Sequence, residues 1–233
     1  MSDFAAYIFH VNREDLLQRA VLSAQEFGWN LMILDNSQTG LSYTPGCQVK
    51  KPCVPLTFSQ SMNFAITRAK GNGAKFCIFM HSDAVAAPGS CLKLVECARR
   101  LNMEGRKWGV LFTNYDALAA LNVGLLDDVG LWDTNLPQYF SDNDYYRRVR
   151  LAGYECIETA LAVIHEPSQT IKSDPTLNFI NGITFPLYES YYQRKWGGQA
   201  RERELHNAIQ QVVRLWIATN RRYPATGIQL LDD

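Results

Sequence analysis

Polar and ionisable side chains recur where short apolar runs of this sequence end. Asp35 follows one such run, and Asp83 follows another together with His81 and Ser82. A carboxylate in a turn of this kind most often stabilises the turn or caps a helix, so either residue alone says little. Because open α/β sheets bind ligands just outside the carboxyl ends of their strands, the two together predict a ligand site at that edge.

Three further residues with suitable chemistry lie downstream, in turn-like segments between apolar runs: Asp142, Asp144 and His165. Carboxylate and imidazole groups can ligate Mg²⁺ or Mn²⁺, and such an ion could neutralise a departing diphosphate. Each residue also has a structural interpretation. Asp142 precedes a predicted helix, where an N-cap aspartate stabilises the first turn by about 1 kcal/mol. His165 could be an ordinary histidine after a strand.

The apolar periodicity predicts the elements that must position these residues. Strands are predicted over residues 5–11, 31–34, 76–80, 108–113, 123–126 and 156–164, and helices over 14–27, 59–69, 88–101 and 144–152. The stretch 41–56 contains three prolines and predicts a loop. Alternation of strands with helices predicts one α/β domain with a mixed, mostly parallel sheet flanked by helices.

The C-terminal region has a different pattern. Over residues 201–219 one helical face collects Leu205, Ile209, Val212, Val213, Trp216 and Ile217. This predicts an amphipathic helix that packs back onto the domain, so we expect a domain over 1–198 and a helical extension over 199–233. Between residues 194 and 222 there are seven Arg or Lys against two Glu. Such a basic stretch is most often a solvated face, although it could contact nucleic acid.

The composition excludes several classes of protein. The chain has 233 residues, 47% hydrophobic and 20% charged, with a formal net charge of zero, as expected of a soluble globular protein rather than a disordered or fibrous one. We expect a cytoplasmic protein because no apolar window is long enough to span a bilayer and the N-terminus lacks a basic signal region. The six cysteines form no Cys-X-X-Cys pair, which favours reduced thiols over disulfides or a zinc site.

Several segments resemble, in order, the motifs of one enzyme family. Residues 33–37 (Ile-Leu-Asp-Asn-Ser) and 79–83 (Phe-Met-His-Ser-Asp) are similar to its second strand and its Asp-X-Asp motif. Residues 129–133 (Val-Gly-Leu-Trp-Asp) and 139–144 (Tyr-Phe-Ser-Asp-Asn-Asp) are similar to its Gly-Gly-Phe-Asp-Glu and Glu-Asp-X-Asp segments, and 195–198 (Lys-Trp-Gly-Gly) to its tail. The family is that of the GT-A glycosyltransferases, above all the inverting, mostly bacterial family 2 that uses nucleotide-sugar donors.

The resemblance implies a GT-A (Rossmann-like) fold and a role for each matching residue. Asp142 would be the general base, and Asp83 with His165 would hold Mn²⁺ or Mg²⁺. Contacts to the nucleotide sugar, a UDP-sugar, would come from Asp35, Asn63, His81, Ser82, Asp83, Lys195 and Trp196, and contacts to the acceptor from Asp144 and Arg147.

Two positions depart from the family pattern. His81 stands where the first Asp of Asp-X-Asp is expected, and Ser141 replaces the Glu before the expected base. Two alternatives therefore stay open: a retaining enzyme in which Asp142 only positions the acceptor, and a non-catalytic domain that binds a nucleotide sugar or a glycan. The sequence does not specify the sugar, and the acceptor could be a glycan, a small molecule or a modified nucleic acid.

Overall fold

The computed structural model describes residues 2–43, 45–113, 116–165 and 168–198. Its strands are β1 (Phe4–His10), β2 (Leu31–Asp35), β3 (Gln48–Lys50), β4 (Phe76–His81), β5 (Ala84–Ala86), β6 (Trp108–Phe112), β7 (Leu118–Asn122), β8 (Glu155–Glu158) and β9 (Val163–His165). Within these residues, seven strands form one sheet in the order β3-β2-β1-β4-β7-β6-β8. β7 runs antiparallel to both of its neighbours, and the other pairs are parallel. The predicted mixed, mostly parallel sheet is confirmed.

Helices cover both faces of this sheet. They are α1 (Glu14–Ser23), α2 (Phe58–Gly71), α3 (Ser90–Met103), α4 (Leu126–Val129), α5 (Ser141–Leu151), α6 (Gln169–Ser173) and α7 (Pro175–Trp196). Alternate residues of β1 point to opposite faces, so Ala6 and Ile8 pack with α1 and α3 while Tyr7 packs with α2 and α5. A capping box formed by Thr57 and Gln60 begins α2.

A small third core joins α7 to the domain. Leu136, Tyr192 and Trp196 are almost fully buried there, and Phe140 and Tyr188 pack against them. The C-terminal helix of the described chain is therefore anchored next to α5 at its carboxyl end. None of the helices in the described ranges combines the length and the apolar character needed to cross a bilayer.

Three of the predicted elements differ from the structure. Residues 123–126 are not a strand: they form a 3₁₀ turn over Val123–Leu125 and the start of α4, because the Asn122 side chain accepts the N–H of Gly124 and ends β7. The predicted strand 156–164 is divided into β8 and β9, which belong to different sheets. Helix α1 stops at Ser23, and a 3₁₀ segment over Gln25–Asn30 follows, with Gly28 at a φ of 56°.

Three further elements were not predicted from the sequence, and one predicted helix lies outside the described residues. The predicted loop 41–56 contains β3, and α6 and α7 were not predicted. The predicted helix over 201–219 lies outside the described residues. All six cysteines have free thiols in the structure.

Candidate active site

A cavity of about 330 Å³ opens where β1 and β4 end. Five aspartate or histidine side chains line it: His81, Asp83, Asp116, Asp142 and His165. His81 ends β4, and pairing of Ala84 with His165 in the β5–β9 ribbon brings the imidazole of His165 next to Asp83. Asp142 projects from the first turn of α5, and Asp116 from the connection between β6 and β7. A cavity therefore lies at the edge of the sheet where the sequence predicts a ligand site.

His81, Asp83 and His165 form a compact cluster in this cavity. The distance from His165 Nε2 to Asp83 Oδ1 is 3.2 Å, and that from His81 Nδ1 to the same oxygen is 3.9 Å. One ligand atom from each of the three residues lies within 4.8 Å of the others. This spacing would allow all three side chains to contact one metal ion.

The ring nitrogens of the cluster favour a metal on chemical grounds. Within the described residues, His81 Nε2 and both ring nitrogens of His165 are buried without a well-aligned hydrogen bond. Burial, assisted by the neighbouring His165, lowers the pKa of His81 to about 4, so its imidazole is neutral, as a ligand must be. Buried polar atoms normally have a partner, and a divalent cation would supply one. The donor set, two imidazoles and one carboxylate, fits Mn²⁺ better than Mg²⁺.

Asp142 and Asp116 form a second, acidic group beside the cluster. Burial raises the pKa of Asp142 to about 7, and repulsion from Asp116 contributes to the rise. Burial also raises the pKa of Asp116 to about 6, although the hydroxyl of Tyr146, which donates to its Oδ2 at 2.9 Å, opposes the rise. A carboxylate that titrates near neutral pH is well suited to accept a proton in catalysis.

The position of Asp142 in α5 tests its interpretation as an N-cap residue. The N-cap of α5 is Phe140, in a left-handed conformation with φ 64°, and Asp142 is the second residue of the helix. The N-cap interpretation is therefore wrong. Backbone N–H groups of Asp142 and Asn143 still lower the pKa of this carboxyl group, but burial outweighs them.

Sequence reasoning missed Asp116. It lies beyond the carboxyl end of β6, which runs in the same direction as β4, and thus at the same edge as His81. Its Oδ1 is 3.9 Å from His81 Nε2. A carboxylate just past a predicted strand is the same signal that singled out Asp35 and Asp83, so the sequence did carry an indication.

Asp35 is placed beside the cavity rather than in it. Its side chain is buried, and its Oδ1 accepts hydrogen bonds from the backbone N–H and the hydroxyl of Ser37 at 3.0 and 2.6 Å. The next residue, Asn36, lines the cavity and donates to the Ser61 hydroxyl at 3.0 Å. Ser82, also predicted, lines the cavity and is buried. Asp35 therefore shapes the turn that presents Asn36.

Four predicted residues instead connect α5 to α7 and do not line this cavity. Asp144 is fully buried, and its carboxylate accepts the Trp196 indole N–H at 2.9 Å and faces Lys195 Nζ at 2.8 Å. Arg147 donates to the hydroxyl of Tyr192 at 3.2 Å, and its guanidinium lies over the Trp196 ring. The donor and acceptor contacts predicted for these four side chains therefore find no support in this geometry.

Asn63 likewise lies outside the cavity. Its amide group donates to the backbone carbonyl of Trp132 at 3.0 Å and accepts the backbone N–H of the same residue at 2.8 Å. It thus ties α2 to the segment before α5. The contact with the nucleotide sugar predicted for Asn63 is a contact within the protein in this structure.

Comparison with known proteins finds similarity at the level of structure. No protein-family model and no curated protein matches this sequence. The mannosyltransferase PcManGT from Pyrobaculum calidifontis, solved with GDP-Man and Mn²⁺, is similar with a TM-score of 0.58 at 10% identity, over 95% of this chain and 70% of that one.

Solved structures of two other proteins are also similar to this chain. S. aureus TarS 1–349 has a TM-score of 0.57 at 12% identity, over 96% of this chain and 72% of that one. This chain covers 43% of a longer TarS structure. Glucosyl-3-phosphoglycerate synthase from Mycobacterium tuberculosis, with Mg²⁺ and UDP, has a TM-score of 0.51 at 13% identity, over 78% of each chain. The chain thus has the GT-A fold that its sequence predicted.

Proposed function

We propose that this protein is a metal-dependent glycosyltransferase that moves a sugar from a nucleoside diphosphate donor, a UDP-sugar, to an acceptor hydroxyl. The observation that carries the proposal is the shared cavity, which brings His81, Asp83 and His165 together with Asp142 at the strand ends of a GT-A fold. Two of the similar structures were solved with GDP-Man and Mn²⁺ and with UDP and Mg²⁺, which supports a donor of this class.

His81, Asp83 and His165 would hold the divalent cation. When bound, such an ion stabilises the negative charge that develops on the departing diphosphate. The protein's own part is to position the two imidazoles, through the end of β4 and the β5–β9 ribbon, and to keep that of His81 neutral through burial. Because imidazole is a better ligand for Mn²⁺ than for Mg²⁺, we expect Mn²⁺ to bind more tightly.

Asp142 would act on the acceptor. In an inverting transfer, the acceptor oxygen attacks the anomeric carbon from the face opposite the leaving group while a base removes its proton. Asp142 faces the cavity, and burial together with Asp116 keeps its pKa high enough to accept that proton. In a retaining transfer the same carboxylate would only position the acceptor.

The proposal is tested by calorimetric titration of a panel of UDP- and GDP-sugars, with and without Mn²⁺, while released nucleotide is measured in the same samples. We expect one donor to bind in the presence of Mn²⁺ and to be slowly hydrolysed. Asp83→Ala should abolish the metal-dependent part of the binding. Asp142→Asn should keep donor binding and lower turnover at least ~100-fold, the usual contribution of a general base.

The matched control is Asp127→Asn, which removes an exposed carboxylate paired with Lys70 outside the cavity and should behave like the wild type. Donor binding without any turnover would favour the non-catalytic alternative. No binding of any donor, with or without metal, would contradict the proposed function. The configuration of the transferred sugar in the product separates inversion from retention.

A further inference from the structure

Helix α7 is apolar on two opposite faces. Its inner face contains Phe185, Tyr188, Tyr192 and Trp196, spaced three, four and four residues apart, and it packs on the domain. A surface helix usually has one apolar face and one polar face, because only one side is shielded from water. The second apolar face of α7 therefore needs an explanation.

The second face is exposed in the described structure. We call it the outer stripe, and it consists of Phe179, Ile180, Ile183, Leu187 and Tyr191, whose exposed fractions range from 36% to 70%. Single exposed apolar side chains are common, but a contiguous row along three turns of a helix usually marks a surface that another element covers.

We propose that residues 201–219 of the same chain cover the outer stripe as the second helix of an antiparallel hairpin. The sequence supports this through matched spacing. Read backwards from Tyr191, the stripe has spacings of 4, 4, 3 and 1. Five of the six apolar residues on the predicted helical face repeat these spacings in the forward direction: Leu205, Ile209, Val213, Trp216 and Ile217; the sixth, Val212, stands level with Thr184. In an antiparallel hairpin centred on Gly198, each residue of the outer stripe therefore stands level with an apolar residue of the other helix.

The turn required for such a hairpin is present. Gly197 ends α7 in a left-handed conformation, with φ 73°, where a glycine is favoured. Four residues, 197–200, then separate Trp196 from the predicted helix, and loops of two to five residues commonly join antiparallel helices. Both apolar rows span the same number of residues, equivalent to roughly 18 Å of helix, so the segment reaches the whole stripe.

The short connection also favours the chain's own segment over other occupants. A segment tethered by four residues has an effective concentration near the stripe in the millimolar range or above, which a second copy or a lipid surface would have to exceed. The apolar face of residues 201–219 would be hidden in the hairpin, and the basic side chains of this segment would face solvent.

The first test is a disulfide between the two helices of the full-length protein. Leu187→Cys with Ile209→Cys should cross-link within one molecule on mild oxidation, detected by mass spectrometry of the joined peptides. The matched control is Leu187→Cys with Gln211→Cys, which places the second thiol on the polar face and should cross-link at least ten times less. A covalent dimer would show a second copy on the stripe and overturn the proposal. Equal or absent cross-linking in both pairs would also overturn it.

The second test needs no cysteine. Amide hydrogen exchange of residues 201–219 in the wild type should be at least tenfold slower than in an unstructured peptide of the same sequence, and Ile183→Asp should remove this protection. Met103→Asp changes an apolar side chain on α3 that is 81% exposed, and it should leave the protection of residues 201–219 intact. Absence of protection in the wild type would contradict the hairpin, as would protection that appears only when anionic phospholipid vesicles are added.

Discussion

At the scale of single residues, the cavity shows how burial adapts ordinary side chains to chemistry. Burial lowers the pKa of His81 and raises those of Asp116 and Asp142, in each case because the charged form loses its hydration. The same three residues then favour neutral forms at moderately acidic pH. These shifts also make stability depend on pH.

Asp142→Asn tests this linkage in the metal-free protein. Folding raises the pKa of Asp142 from an ordinary value of 3.8, so its contribution to stability is complete below about pH 4 and is lost as the pH rises through about 7. His81 acts in the opposite direction, but it is present in both proteins. We expect the free energy of unfolding of the variant to match that of the wild type near pH 4 and to exceed it by about 1–2 kcal/mol near pH 8, a value reduced for partial solvent access.

Urea unfolding at pH 4 and pH 8 measures this difference. An equal difference at both pH values would contradict a raised pKa for Asp142.

Individual residues also show where sequence analysis reaches its limit. His81, Ser82, Asp83, Asp142 and His165 were predicted because they lie near strand ends or near the start of a helix in recognisable segments, and all five line the cavity. Asp144 and Trp196 were chosen by the same kind of similarity, yet they bond to each other. A motif specifies residue types and spacing, but which side of a helix meets a ligand depends on what packs against it.

At the scale of elements, the strands of the parallel part were predictable and α7 was not. Buried parallel strands appear in the sequence as continuous apolar runs, such as those of β1, β2 and β4. Helix α7 contains Gly182 and Pro186 and is apolar on both faces, so it has neither the propensity nor the single apolar stripe that indicates a helix. Packing of α7 onto α5 offsets the weak helix propensity of its sequence.

Asp144→Ala tests that packing. The substitution leaves Arg148, whose Nε donates to Asp144 at 2.9 Å, and the indole N–H of Trp196 buried without their acceptor. Breaking a buried ion pair from one side typically costs ~3–5 kcal/mol, so we expect a loss of this size in urea unfolding. Asp127→Ala, which breaks an exposed pair, should cost less than ~1 kcal/mol. Since Asp144 does not line the cavity, acceptor affinity measured under conditions where the variant is folded should be unchanged, and a selective loss of acceptor affinity would restore its predicted acceptor role.

At the scale of the whole molecule, one sheet carries both the core and the cavity. Two apolar layers pack on its faces, and the cavity residues come from segments that are distant in the sequence. A ligand that binds only this folded arrangement must stabilise the entire domain. The zero net charge of the chain gives it no long-range attraction for polyanions, so a nucleic acid acceptor would depend on the local basic stretch.

Thermal unfolding tests this global coupling. With Mn²⁺ and the correct donor at about 100 times the dissociation constant, we expect stabilisation of ~2.7 kcal/mol and a corresponding rise in Tm. Asp83→Ala should show no such rise. A rise of equal size in the variant would mean that the donor binds elsewhere.

The β5–β9 ribbon has a consequence for when the folding chain can bind a metal ion. It pairs Ala84 with His165, two residues that are far apart in the sequence. Because loop closure must come before a non-local contact, the imidazole of His165 should reach Asp83 only after the chain between them has closed. High affinity for a divalent cation would then appear only with that closure. A newly synthesised chain that has not yet closed this ribbon would hold metal weakly, and metal capture would mark the closed ribbon.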